Sequence, residues 1–152
     1  MKKILLLCLT LFLALSFSQE GKPKHRLQYE EVIQGMDFED VKLLLKTALD
    51  GRNMNVLGVI DVATEKPRFS YILVCNLSYA ERIFREFPQL GVMAPCRIYL
   101  HEREDGSVAV GFVNVKTLLK VFDKYLSPQA KELFLKADND VKSAIKEVKG
   151  EQ

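Results

Sequence analysis

Apolar residues alternate with polar or small ones on both sides of Glu104-Asp105-Gly106: Ile98 and Leu100 precede it, and Val108, Val110 and Phe112 follow. A period of two marks a strand with one buried face, so segments 96–103 and 107–113 are predicted to form a β-hairpin. The same residues fix its register. A two-residue Asp-Gly turn would pair Leu100 with Gly111 and His101 with Val110, mixing apolar and polar side chains on both faces. A three-residue loop, with Gly106 left-handed in a bulge, pairs Leu100 with Val110 and Ile98 with Phe112. That register gathers the five apolar side chains on one face, and a slip of one residue would turn the whole set to solvent. The rest of the chain must therefore supply elements that cover this face.

The opposite face of the hairpin carries Arg97, Tyr99, His101 and Arg103 beside the small Ala109 and Gly111. Two readings apply: a solvated face along which long side chains lie, or a binding platform with room above the small residues. The first is preferred, and Tyr99 and His101 are kept as candidate binding residues under the second.

The covering elements are legible as amphipathic helices. Asp37 is a good N-cap, and Val41, Leu44, Leu45, Ala48 and Leu49 follow at helical spacing up to a stop at Gly51. Ser78 and Glu81 form a capping-box pattern ahead of Ala80, Ile83, Phe84 and Phe87, predicting a short helix over 78–87 that Pro88 ends. Asn114 is placed to cap a helix over 115–125 with Leu118, Leu119 and Phe122 inward. Ser127-Pro128 then opens a long helix to about Val148, near Gly150. Its stripe is Ala130, Leu133, Phe134, Ala137, Val141, Ala144, Ile145 and Val148, available for core packing or for a dimer interface.

Further strands are expected over 27–33, with Leu27 and Tyr29 on one face, over 54–62, with Gly58 at a bulge, and over 69–75 in a central position. Residues 88–95 form an apolar loop between two prolines, Pro88 and Pro95. Loops are usually polar, so this one is expected to be buried or to belong to an interface. The fold class is α+β: a small sheet of four or five strands, mixed or antiparallel, covered by helices and ending in a helical C-terminus.

The N-terminus has a separate logic. Met1-Lys2-Lys3, an apolar run over 4–15 and Ser16-Phe17-Ser18 read as a secretory signal peptide over 1–18, cut before Gln19. The run is too short to span a bilayer comfortably. Cys8 lies inside it rather than at its end, which argues against a lipoprotein signal. A polar leader over 19–26, containing His25, then precedes a single domain over 27–148. Cleavage removes Lys2 and Lys3 and no acid, leaving 20 basic and 20 acidic residues. Such a balance gives no electrostatic case for nucleic acid, and after cleavage no permanent membrane span is expected.

Several segments resemble the domain-of-unknown-function 302 family: Asp37-Phe38-Glu39-Asp40-Val41, Gly58-Val59-Ile60-Asp61-Val62, Ile72-Leu73-Val74-Cys75-Asn76, the run from Phe87 through Pro88-Gln89-Leu90-Gly91-Val92-Met93-Ala94-Pro95 to Cys96, and the Glu104-Asp105-Gly106 turn. Order and spacing carry the resemblance over 37–112. The family pattern has proline after its Cys-Asn pair, where this chain has Leu77, so no role of that proline carries over. The resemblance implies a small α+β domain and brings no activity with it.

Cys75 and Cys96 remain after cleavage, with Asn76 beside the first. Three readings stay open, in this order: small buried core residues, an exported-domain disulfide, or a reactive or ligand-binding pair. Closing the 20-residue loop between them would contribute about 3 kcal/mol, but bonding requires the two strand ends to be neighbours, and strand direction decides that. With only His25 and His101 as histidines and no Cys-x-x-Cys, a zinc site of standard spacing is unsupported. No positioned acid, base or nucleophile emerges, so a self-sufficient enzyme is not expected and no cofactor is identified. The functional expectation is an exported cell-envelope module, periplasmic or secreted. It would bind a small ligand or an envelope protein, with a possible homodimer through the 90–94 loop and the C-terminal stripe. The alternative is an envelope redox or sulfur-handling protein using Cys75 and Cys96. The candidate binding residues are Cys75, Asn76, Cys96, Tyr99 and His101.

Overall fold

A computed structural model describes residues 27–151. The expected signal, the leader and His25 lie outside the described residues. Five strands form one sheet: β1 (Gln28–Ile33), β2 (Asn55–Ala63), β3 (Phe69–Cys75), β4 (Cys96–Glu102) and β5 (Val108–Val113). Their spatial order is β1-β5-β4-β3-β2, and every neighbouring pair is antiparallel. Among the described residues, four α-helices accompany the sheet: α1 (Phe38–Asp50), α2 (Leu77–Glu86), α3 (Val115–Phe122) and α4 (Pro128–Lys149). Short 3-10 turns cover Pro88–Met93 and Asp123–Tyr125. This is the α+β architecture that the alternation and capping patterns predict, with a wholly antiparallel sheet.

The β4–β5 hairpin takes the three-residue register. Leu100 pairs with Val110 and His101 with Ala109, and Gly106 has a left-handed φ of 79°. Ile98, Leu100, Val108, Val110 and Phe112 are all buried. They pack in one cluster with Val41, Leu45 and Leu49 of α1 and Val141, Ala144 and Ile145 of α4. Burial of apolar area on this scale is the main favourable term in folding. It uses most of the C-terminal stripe as core, with Leu133, Phe134 and Ala137 left half-buried.

Chain direction explains the sheet order. Helix α1 carries the chain from β1 on one edge to β2 on the other, and β2 returns as β3. Strand β2 slips register between Val56 and Gly58, the bulge that the glycine suggests, and again between Asp61 and Ala63. Strand β3 is central, between β2 and β4.

Three details differ from the sequence reading. Leu27 precedes β1 and is exposed; it contributes no inward face, although its carbonyl accepts from Asn114 N at 2.8 Å. Helix α2 is capped by Asn76, not by the Ser78–Glu81 pattern, and so begins at Leu77. Asn76 wins because its side chain is held from two sides: Oδ1 accepts from Tyr79 N at 3.1 Å, while Nδ2 donates to Asn53 O at 3.2 Å. Helix α3 ends at Phe122, three residues early, because the chain tightens into the 3-10 turn over Asp123–Tyr125.

Candidate functional site

The site forms where two hydrophobic clusters meet. The main core fills the space between the sheet, α1 and α4. A smaller cluster of Ile83, Leu90, Leu126 and Ala130 joins α2, the Pro88–Met93 turn and the start of α4. Leu90 is buried, which anchors the apolar loop inward, while Val92 is 79% exposed. Between the clusters lies a cavity of about 190 Å³. Its walls come from the ends of β3 and β4, from α2, from the 3-10 turn, and from α4 between Phe134 and Val141. Met93, Cys96 and Arg97 line it and are exposed, so they mark its mouth.

Cys75, Asn76 and Cys96 all line this cavity. Strand direction brings them together: β3 and β4 are antiparallel, so the end of one lies beside the start of the other. Helix α2 and the turn after it lead the chain back to the same end of the sheet. The partner of Cys96 across the ladder, however, is Val74. The two cysteines are therefore not cross-strand partners: Cys96 shares the helix side of the sheet with Val74 and Ile98, and Cys75 meets the cavity from the last residue of β3. Both cysteines are free. Desolvation raises the pKa of both thiols, and the charge of Cys75 adds a smaller push on Cys96. Cys96 is exposed as a residue, but its strand register turns the thiol inward, which accounts for the desolvation. A nucleophilic thiol needs the opposite shift.

Asn76 is 6% exposed, and its side-chain amide is engaged at both ends by the α2 cap and the Asn53 carbonyl. Its place in the wall is that of a strut between two segments.

Asp138 is the functional candidate that the sequence reading passed over. It is 5% exposed on α4 and lines the cavity. Its Oδ2 accepts from Lys142 Nζ at 2.6 Å. Its Oδ1 is buried without a hydrogen-bond partner among the described residues. The sequence contained a signal, since Asp138 stands four residues after Phe134 and three before Val141, within the apolar stripe. A carboxylate at such a position, with a lysine four residues on, is a polar group placed inward with one partner.

Tyr99 and His101 are elsewhere. They lie on the other face of the sheet, where Phe69 stacks on Tyr99 with ring centroids 6.2 Å apart and tilts against His101 at 5.8 Å. Tyr99 Oη donates to the Glu30 carboxylate, and Arg103 Nη2 donates to Glu30 Oε1 at 2.9 Å. Desolvation, followed by that bond to Glu30, pushes the Tyr99 phenol well above its ordinary pKa. The room expected above the small residues is filled, because the Tyr99 ring lies over Gly111 and Ala109 is 2% exposed. The five candidates thus divide into Cys75, Asn76 and Cys96 at the cavity, and Tyr99 and His101 across the sheet from it. Among the described residues, no group of three His, Cys, Asp or Glu side chains is arranged to hold a metal ion. No helix among them is long and apolar enough to cross a membrane.

Fold and cavity together define a small two-layer α+β protein with one antiparallel sheet and an apolar recess at one end. The sequence profile described as "Domain of unknown function DUF302" matches residues 29–148, and the chain belongs to that family. It is 55% identical over 150 residues to an "Uncharacterized protein" of Aquifex aeolicus (strain VF5), covering 99% of each chain. It also superposes on a solved structure, "Crystal structure of uncharacterized conserved protein DUF302 from Bacillus stearothermophilus". The TM-score is 0.68 at 16% identity, over 80% of this chain and 97% of that one. That likeness supports the fold.

Proposed function

We propose that this protein is an exported, single-domain binding module that takes a small, largely apolar ligand into the cavity between α2, the Pro88–Met93 turn and α4. The cavity carries the reading. At about 190 Å³ it is of the same order as the roughly 150 Å³ protein cavity that accepts benzene. Apolar walls with few polar groups are the usual make-up of a small-molecule site. The competing protein-contact reading has less to rest on, because most of the stripe on α4 is core and Leu90 is buried, leaving Val92 and Met93 as the large apolar side chains exposed on the turn. The thiol-redox reading gains nothing from two free thiols with raised pKa values on residues that are not cross-strand partners.

The test is titration with a small aromatic probe such as toluene, followed by NMR at the Met93 methyl and the Ile83 and Leu90 side chains. Saturable shifts at these groups are expected, and Ala137→Phe, which fills the cavity from α4, should abolish them. Shifts that persist in that variant would place the probe elsewhere and overturn the reading. Export rests on the reading of residues 1–18 and is tested by the mass of the protein from an envelope fraction. The chain should begin at Gln19, and an intact Met1 form confined to the cytosol would refute it.

A further inference from the structure

We infer that Asp138 is the polar anchor of the cavity, and that the ligand it selects is a ring-sized apolar body carrying one neutral O–H or N–H donor. The inference rests on the binding reading above and specifies its ligand class. Asp138 lines the cavity, and its Oδ1 is buried with no hydrogen-bond partner among the described residues. A buried acceptor left unmatched costs free energy, and the cost is larger for a charged group. A donor from a bound molecule removes that cost, whereas a purely apolar molecule leaves it in place.

The neighbours of Asp138 narrow the class further. Lys142 Nζ, 2.6 Å from Oδ2, already balances the charge of the carboxylate. A neutral donor therefore completes the site without adding net charge to an apolar space. An anion would bring only acceptors to an acceptor. A second ammonium would crowd the one on Lys142. Of the other polar wall groups, Arg97 stands at the exposed mouth, Tyr79 has Lys136 Nζ over its ring, the Asn76 amide is committed to Tyr79 N and Asn53 O, and the two thiols are weak hydrogen-bonding groups. Volume sets the size, since the cavity is of the order that takes one six-membered ring with a substituent.

Phenol and toluene form a near-isosteric probe pair that differs in the donor. Their affinities are measured by NMR titration of the protein isolated from cells expressing the full sequence. Toluene is the more apolar, so a cavity without an anchor prefers it. Phenol is expected to bind at least as tightly as toluene. Asp138→Leu is expected to weaken phenol about tenfold or more, the scale of a hydrogen bond to a charged acceptor, while leaving toluene nearly unchanged. The ¹³Cγ resonance of Asp138 should move with phenol and not with toluene, which decides the matter in the wild type should the variant not fold. Toluene binding more tightly than phenol, or phenol indifferent to Asp138→Leu with an unmoved ¹³Cγ resonance, overturns the anchor and leaves the binding reading standing. If neither probe binds, both fail together.

Discussion

Tyr99 lies across Gly111. A Cβ at residue 111 would stand 2.6 Å from Tyr99 Cζ and Oη and 2.7 Å from the backbone oxygen of Tyr29. Gly111 pairs with Tyr99 on one side and with Glu30 on the other, so the missing side chain is what lets the Tyr99 hydroxyl reach the Glu30 carboxylate. Gly111→Ala must move a tethered ring and also meet backbone that cannot yield. Overpacking of this kind costs about 1–3 kcal/mol. The urea midpoint of Gly111→Ala should therefore fall clearly below that of the wild type. Tyr99→Phe should cost less, about 1 kcal/mol, because Glu30 keeps Arg103. An unchanged midpoint for Gly111→Ala would show that the ring gives way freely.

The hairpin shows how much of the fold was written locally. Five apolar residues and one glycine sufficed for its register, because in a strand a one-residue slip exposes everything. Asp37, Asn114 and Ser127 were legible for a similar reason, since each cap is a local contest between side chain and backbone. The cap of α2 was harder to read because two neighbouring candidates, Asn76 and Ser78, differ through a contact to Asn53, which lies 23 residues away. Strand order was not legible at all, as the β1–β5 pairing joins opposite ends of the sheet-forming chain. Neither was the cavity, a remainder of side-chain volumes contributed by several elements. Cys75, Asn76 and Cys96 were found from residue type and came together. Tyr99 and His101 share a strand face, but it is the face away from the cavity.

Asn76 should behave as a strut. Asn76→Ala removes the α2 cap and leaves Asn53 O without its donor. Loss of a cap costs about 1 kcal/mol, and an unmatched buried acceptor adds about as much again. Asn76→Asp keeps an acceptor for Tyr79 N and loses only the donor to Asn53 O. The two variants separate the roles by chemical denaturation, with alanine expected to be the less stable. The reverse order would mean that the contact to Asn53, sharpened by carboxylate–carbonyl repulsion, outweighs the cap.

Cys75 and Cys96 should both remain reduced and slow to react. Their thiol pKa values are raised by desolvation, so the thiolate fraction at pH 7 is below that of a free cysteine, and alkylation depends on the thiolate. Labelling of the folded protein should accelerate as pH rises beyond the ordinary thiol range. Unfolding without reductant should release both thiols at once. Labelling that appears only after reductant would reveal a disulfide, and would require the ends of β3 and β4 to shift from the Val74–Cys96 register.

The far end of the sheet should set the response to acid. Arg68 Nε donates to Glu102 Oε2 at 2.9 Å and its Nη2 to Oε1 at 3.0 Å, while the Arg68 backbone N–H adds a third bond at 3.1 Å. The same guanidinium reaches Asp37, the α1 cap, at 2.9 Å. Hydrogen bonding from Arg68, opposed by desolvation, lowers the Glu102 carboxyl from near 4.5 to about 2. A carboxyl depressed in the folded state stabilises the protein above its unfolded pKa, and that contribution is lost as the folded state is protonated. The stability supplied by Glu102 is therefore complete above about pH 4.5 and disappears as pH falls toward 2. Glu102→Gln keeps the shape and removes the charge, so its thermal midpoint should lie below that of the wild type at pH 7 and converge on it between pH 4.5 and 2. Midpoint curves for wild type and variant that run parallel across this window would show that Arg68 and Glu102 do not hold that end of the sheet through charge.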